Sequence, residues 1–212
     1  MQFSIPLLLF CALLLLGFLF ASCSAGGYQK EGNSWVWVEY NENVGKKVSW
    51  IPEADGESFR VLTDKNYAVD HQRVYLKGKL IPEAEPGSFE VLDKMGYARD
   101  RNRVFLDCER ILFAEPGSFE VLDFPYARDA RRVFCGTIPI PGIETGEVAS
   151  FRATNTDALM AHMKSTVLCS HFIELNPDFK WLDTLGVSFV IVGDWGTGET
   201  PTKKFKAFKQ VD

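Results

Sequence analysis

From residue 35 onward, short apolar and aromatic runs alternate with turn residues, the patterning of a mainly β protein. Trp35-Val36-Trp37-Val38-Glu39-Tyr40 alternates as a strand, residues 41–45 supply a turn, and Lys46-Lys47-Val48-Ser49-Trp50 returns. One pattern then occurs three times, over residues 51–80, 81–110 and 111–137. Its phenylalanines, Phe59, Phe89 and Phe119, stand thirty apart, and Tyr67, Tyr97 and Tyr126 step by thirty and then twenty-nine. In each copy an acid (Asp55, Glu85, Glu115) precedes a Gly- or Pro-containing turn and Ser-Phe, predicting one short helical turn. Tyr-Ala-x-Asp and Arg-Val-Tyr/Phe then flank a two-residue centre, His71-Gln72, Arg101-Asn102 or Ala130-Arg131, as the arms of a hairpin do. Such units bury their aromatic rows only against neighbours, so they are expected to stack.

The flanks break the period. Residues 35–50 are expected to form a capping hairpin, preceded by a tether over 23–34. Pro139-Ile140-Pro141-Gly142 reads as a breaker cluster. Leu159, Met160, Met163, Val167 and Leu168 form one apolar stripe, predicting a helix from 156 to about 175. A second helix over 178–185 and a strand over 187–192 complete an α/β cap at 138–212. The fold class expected is α+β, mainly β: tandem β-hairpin repeats with short helical turns and a C-terminal helical and strand segment.

The first twenty-odd residues stand apart from this fold. Ile5 to Ala21 reads IPLLLFCALLLLGFLFA without a charge, a signal-peptide core rather than part of a domain. Ala21-Ser22-Cys23 resembles the bacterial lipobox, which implies a signal peptide over 1–22 and lipidation of Cys23. Cleavage after Ala25, or retention as a membrane anchor, stands beside that reading. Each places the remainder outside the cytoplasm, in the cell envelope facing the periplasm or exterior, with the membrane as partner. The 28 acids against 23 bases give −5, a balance that argues against a nucleic-acid partner.

Cys11 leaves with the signal and Cys23 takes the lipid, so Cys108, Cys135 and Cys169 remain in an oxidising compartment. Cys108 and Cys135 close the strand regions of neighbouring copies and form a candidate disulfide. Three buried apolar thiols are the other reading. No zinc-like Cys/His spacing is present, and no cofactor is expected.

Asp64-Lys65-Asn66-Tyr67-Ala68, followed by Asp70 and by Arg73-Val74-Tyr75, resembles the bacterial DKNYY repeat family over roughly residues 50–137. The resemblance implies an exported repeat protein and names no activity. Asp70, Asp100 and Asp129, with Arg73, Arg103 and Arg132, recur in register. They are read as turn and cross-strand framework rather than as a ligand row.

One stretch resembles a catalytic motif. Gly193-Asp194-Trp195-Gly196 follows an apolar strand, as in the first metal-binding motif of metallophosphatases. Such a site needs several further ligands, and neither His nor Asn follows Asp194. His162 and His171, nine apart, cannot share a metal on one helix. The expectation is a non-enzymatic scaffold or interaction module, with partners among envelope proteins or cell wall. A metal-dependent phosphoesterase relative and a cell-wall glycan-binding module are the alternatives.

Overall fold

The computed structural model describes residues 26–51, 53–93, 95–155, 164–185, 188–191 and 196–211. The chain opens on an antiparallel sheet of β1 (Gly27–Glu31), β2 (Ser34–Asn41) and β3 (Gly45–Trp50). Three four-stranded meanders follow. The first holds β4 (Arg60–Val61), β5 (Tyr67–Val69), β6 (Val74–Leu76) and β7 (Lys79–Leu80). The second holds β8 (Glu90–Val91), β9 (Tyr97–Arg99), β10 (Val104–Leu106) and β11 (Glu109–Arg110). The third holds β12 (Glu120–Val121), β13 (Tyr126–Arg128), β14 (Val133–Cys135) and β15 (Ile138–Pro139).

Helix α1 (Thr145–Val148) leads into β16 (Arg152–Asn155), and β17 (Ser165–Leu168), α2 (Cys169–Leu175), a 3₁₀ helix (Pro177–Leu185) and β18 (Ser188–Ile191) follow. The last strands are β19 (Thr197–Glu199), β20 (Lys204–Lys206) and β21 (Lys209–Val211). The mainly β, α+β expectation holds. Each unit is a four-stranded meander rather than a helical turn plus a two-stranded hairpin, and among the described residues of the three units the expected helical turn forms, as 3₁₀, only at Pro116–Ser118.

Period-two sidedness explains the stacking. In the first unit Tyr67, Val69, Val74 and Leu76 face one way and join Ile81, Ala84 and Phe105 in one cluster. Ala68 and Tyr75 face the other way, against Ile51 and Phe59. At each junction a tyrosine packs on the next unit's phenylalanine, which packs on that unit's central aromatic. The first junction is Tyr28–Phe59–Tyr75, at 5.5 and 5.6 Å between ring centroids. Tyr67–Phe89–Phe105 follows at 5.8 and 6.2 Å, and Tyr97–Phe119–Phe134 at 6.0 and 6.0 Å. Tyr126–Phe151–Phe205 closes the series at 5.1 and 6.1 Å. These are tilted and edge-to-face contacts that add specificity to simple burial.

That final triplet reveals a fourth unit which the sequence pattern hides. Strands β16, β19, β20 and β21 form a meander of the same order as the first three. Ile140 donates its amide to Val133 O at 2.8 Å, as Ile81 does to Val74 and Ile111 to Val104. The residues read as a breaker cluster therefore open a repeat. The tyrosine position falls to Thr197, the alanine position to Gly198, and residues 156–196 interrupt the unit between its first and second strands. Gly198 fits because a Cβ there would stand 2.3 Å from Phe151 Cζ.

Further corrections follow on both flanks. Residues 165–168, expected in a helix, form β17 paired with β18, since Thr166 and Val167 favour extended backbone beside Phe189 and Val190. Helix α2 begins only at Cys169, and Leu168 of the predicted apolar stripe is 66% exposed. Leu159, Met160, His162 and Met163 lie outside the described residues, as does the expected 1–22 signal peptide with Cys23. On the N-terminal side the 35–50 hairpin is present, but residues 27–31 of the expected tether add strand β1 to it. Tyr28 pairs with Trp37 as Tyr67 pairs with Leu76, so this first sheet matches the last three strands of a repeat.

Candidate functional site

The recurring polar residues are consumed in framework bonds. Asp70, Asp100 and Asp129 are buried. Asp70 Oδ1 accepts the amides of Gln72 and Arg73 at 2.8 and 2.7 Å, and Oδ2 accepts Asp55 N–H at 3.1 Å and the Tyr75 hydroxyl at 2.8 Å. Asp100 and Asp129 repeat the three backbone bonds on residues 102, 103 and 85, and on 131, 132 and 115. Burial alone would raise the Asp70 carboxyl, but these donors together hold it below the ordinary range. Thr200 takes the aspartate's place in the fourth unit, accepting Lys203 N–H at 3.1 Å, with Glu147 supplying the missing carboxylate.

Arginines brace each unit internally, and tyrosines tie the units together. Arg73 and Arg103 donate to the carbonyls of Glu53 and Glu83 at 2.7 and 3.0 Å, and Lys203 donates to Gly142 O at 2.6 Å. Tyr28, Tyr67 and Tyr97 donate their hydroxyls to the carbonyls of Asn66, Gly96 and Pro125 at 3.2, 3.3 and 3.0 Å. Tyr126 donates to Ala207 O at 3.1 Å. Burial pushes all four phenols upward, so they remain neutral donors.

A Ser–His–Asp cluster on the first unit was not legible in the sequence. Ser58 Oγ donates to Asp55 Oδ2 at 2.5 Å and accepts His71 N–H at 3.0 Å. His71 Nδ1 lies 3.1 Å from that hydroxyl and 2.9 Å from the carboxylate. A hydrolytic triad places serine and acid on opposite ring nitrogens, whereas here both meet Nδ1. Ser88 and Ser118 accept the amides of Arg101 and Ala130 in the same way, with no histidine present. The cluster is a turn lock.

A concave feature lies where the insertion folds back along the stack. Val190 O accepts Thr137 N–H at 3.1 Å, and Val190 N–H donates to Thr137 Oγ1 at 2.9 Å. Val190 is buried among Tyr97, Val104 and Ile111 of the second unit and its neighbour. Lys164 Nζ bonds Met95 O at 2.6 Å and Asp107 Oδ1 at 2.8 Å. The cleft beneath has about 420 Å³, with Asp64, Tyr67, Lys79, Cys108, Glu109 and Thr166 among its walls. Burial, reinforced by Asp107, pushes the Cys108 thiol up to about 11, so it stays protonated and weakly nucleophilic at neutral pH. Burial also raises the Glu109 carboxyl. Mixed charge, donors and a half-buried wall suit binding more than bond breaking.

Cys108 and Cys135 are unbridged thiols, so the candidate Cys108–Cys135 bridge is not formed, and the Cys169 thiol donates to Leu182 O at 3.6 Å. The two positions are not structurally equivalent: Cys108 lies in the β10–β11 turn at the cleft, whereas Cys135 ends β14 in the last core cluster. Residues 193–195 of the metallophosphatase-like motif lie outside the described residues. Gly196 has φ +87 beside Pro125, where a Cβ would meet Cδ at 2.8 Å, and its carbonyl accepts Ala207 N–H at 2.9 Å. Among the described residues no three His, Cys, Asp or Glu side chains gather as metal ligands, and no helix is long and apolar enough to cross a membrane.

A stack of four-stranded meanders joined by tyrosine hydroxyls defines a tandem β-repeat protein, with a cleft beneath an insertion in its last unit. Residues 37–96 match the model of the DKNYY family, which shows over that stretch the resemblance carried by Asp64-Lys65-Asn66-Tyr67. Comparison with curated proteins and with solved structures returns no match. The matched stretch runs from β2 through the first unit to Gly96. The register of hydrogen bonds carries the same architecture to Val211.

Proposed function

We propose that the chain is an exported cell-envelope lipoprotein, lipidated at Cys23, whose repeat stack serves as a non-enzymatic scaffold or interaction module. The observation that carries the reading is the use of the repeated polar residues. Asp, Arg and Tyr in each copy bond backbone within the unit or across to its neighbour, which suits a rigid spacer more than a reaction centre. The uncharged run from Ile5 to Ala21 and the small residues before Cys23 support export and anchoring. Radiolabelled palmitate incorporated at Cys23, with release of Cys23→Ala from the membrane fraction, is the expected result. A Cys23→Ala protein that stays membrane-bound without change defeats the lipoprotein reading.

A glycan-binding role has one observation in its favour. Phe113 and Trp181 are 41% and 49% exposed with ring centroids 5.9 Å apart, and the Arg132 guanidinium lies 5.4 Å from the Phe113 ring. Phe113 holds a left-handed φ of +64 where the preceding unit has Glu83, an unfavourable backbone for a bulky residue. Retention on isolated cell-wall material that Trp181→Ala abolishes supports this role, and no retention removes it.

A further inference from the structure

The N-terminal sheet carries an arm that the other units lack. Units one to three turn within two residues between their third and fourth strands, whereas β2 and β3 run on together to a tip at Asn41–Gly45. Gly27 pairs with Val38, and β1 is antiparallel to β2, so the chain ahead of Gly27 leaves toward the arm's tip. Gly26 confirms the direction, since a Cβ there would meet Val38 O at 2.8 Å and Glu39 Cα at 3.9 Å.

Two lengths can be compared. Beyond Val38, strand β2 has three more residues, which at ~3.4 Å each carries the tip about 10 Å past the chain's entry. Cys23 precedes Gly27 by four residues, a reach of at most about 14 Å when fully extended. With the arm directed at the membrane, an anchor at Cys23 brings the tip to within ~4 Å of the headgroups.

The arm has the chemistry for that position. Tyr40 and Val44 are 49% and 77% exposed, and Lys46 and Lys47 are exposed beside them. Tyrosine and lysine suit the headgroup layer, where a ring meets acyl chains and an ammonium meets phosphate. Glu39 and Glu42 balance the lysines, so attraction to anionic lipid is not the main force. We propose that residues 39–47 form a membrane-resting arm: the Tyr40 and Val44 tip lies in the headgroup layer of the membrane that holds the Cys23 lipid and sets the standing orientation of the repeat stack. The inference rests on the lipoprotein reading.

The test uses the full lipidated protein in vesicles of phosphatidylglycerol and phosphatidylethanolamine, with and without acyl-brominated lipid. Tryptophan is introduced at the tip (Val44→Trp) or at an exposed turn of the second unit (Asn102→Trp), and each variant is read against the parent. The added Val44→Trp emission is expected to fall by about half or more in brominated vesicles, and the added Asn102→Trp emission to stay constant. Equal quenching at the two sites overturns the inference. The mass of the N-terminal peptide separates the two ideas. An unlipidated Cys23 overturns the lipoprotein reading and the arm with it, while a lipidated protein whose tip is unquenched overturns the arm alone.

Discussion

Replacing Asp70 by alanine tests the claim that the recurring aspartates are framework. The side chain is 4% exposed and accepts from four donors: the amides of Gln72, Arg73 and Asp55, and the Tyr75 hydroxyl. In Asp70→Ala the two turn amides, next to exposed His71 and Gln72, recover water. The Tyr75 hydroxyl bond is buried and the Asp55 amide is held away from the turn, and each unsatisfied buried donor costs about 1–3 kcal/mol. The expected loss is about 3–4 kcal/mol, a large share of the ~5–15 kcal/mol typical of a folded domain. Asp70→Asn keeps one carbonyl for the turn amides but sets an NH₂ against the Asp55 amide, and a loss of about 2 kcal/mol is expected.

Tyr75→Phe removes one bond only and should lose about 1 kcal/mol, since the second and third units carry Phe105 and Phe134 at that position. Urea denaturation of the three variants beside the parent checks both order and size. The Asp70 carboxyl is held below its ordinary value, so its contribution is present above the unfolded value near 3.9 and is lost as pH falls through the folded one. The gap between parent and Asp70→Asn should therefore narrow below about pH 4. An Asp70→Ala protein within 1 kcal/mol of the parent, or a gap to Asp70→Asn that stays constant down to pH 2, refutes the bracket.

Three other outcomes are expected. Gly198→Ala places a Cβ 2.3 Å from Phe151 Cζ, so the last unit should lose about 1–3 kcal/mol by overpacking; thermal unfolding equal to the parent's would show that Phe151 yields freely. Alkylation of Cys108 by iodoacetamide should quicken about tenfold per pH unit up to pH 11, and a rate that levels off near pH 9 contradicts the buried, acid-flanked thiol. Lys164→Met removes bonds to Met95 O and Asp107 and should speed amide exchange in 165–191 several-fold while leaving 67–76 unchanged. Uniform change across both segments would mean that the lysine supports the whole stack rather than the insertion.

The three-copy stack was legible because Phe59, Phe89 and Phe119 keep an unbroken thirty-residue step with alternating apolar neighbours. The fourth unit was not, because about forty residues part its first strand from its second and tyrosine gives way to Thr197. Its surviving signals were Ile140-Pro141, Ser150-Phe151 and Lys203-Lys204-Phe205, each aligning with the earlier copies once the gap is allowed. Residues 165–168 were misread because Val167 and Leu168 fit a helical stripe as well as a strand, and only pairing with β18 decides between them. The cleft escaped notice for a plainer reason: Lys164 and Asp107 meet across 57 positions, a contact that no local pattern encodes.

The last unit also explains why the insertion turns back along the stack rather than onward. In the first unit the leading face, Tyr67, Val69, Val74 and Leu76, is apolar and covered by the next unit. Tyr97, Val104 and Leu106 and then Tyr126, Val133 and Cys135 repeat it, with Arg99 and Arg128 at the place of Val69. At the equivalent positions the fourth unit presents Thr197, Glu199, Lys204 and Lys206, with Arg152 paired to Glu199 and Thr154 bonded to Thr197. Such a polar outer face suits a terminal repeat and offers an inserted segment little apolar surface on that side. The apolar side chains of the insertion are buried along the flank of the stack instead: Val190 joins Ile111 and Phe134, while Phe172 and Phe189 join Tyr126 of the third unit and Phe208 of the fourth. The polar outer face and the cleft are thus linked: the insertion lies along the flank of the second, third and fourth units, and the cleft is the space left beneath it.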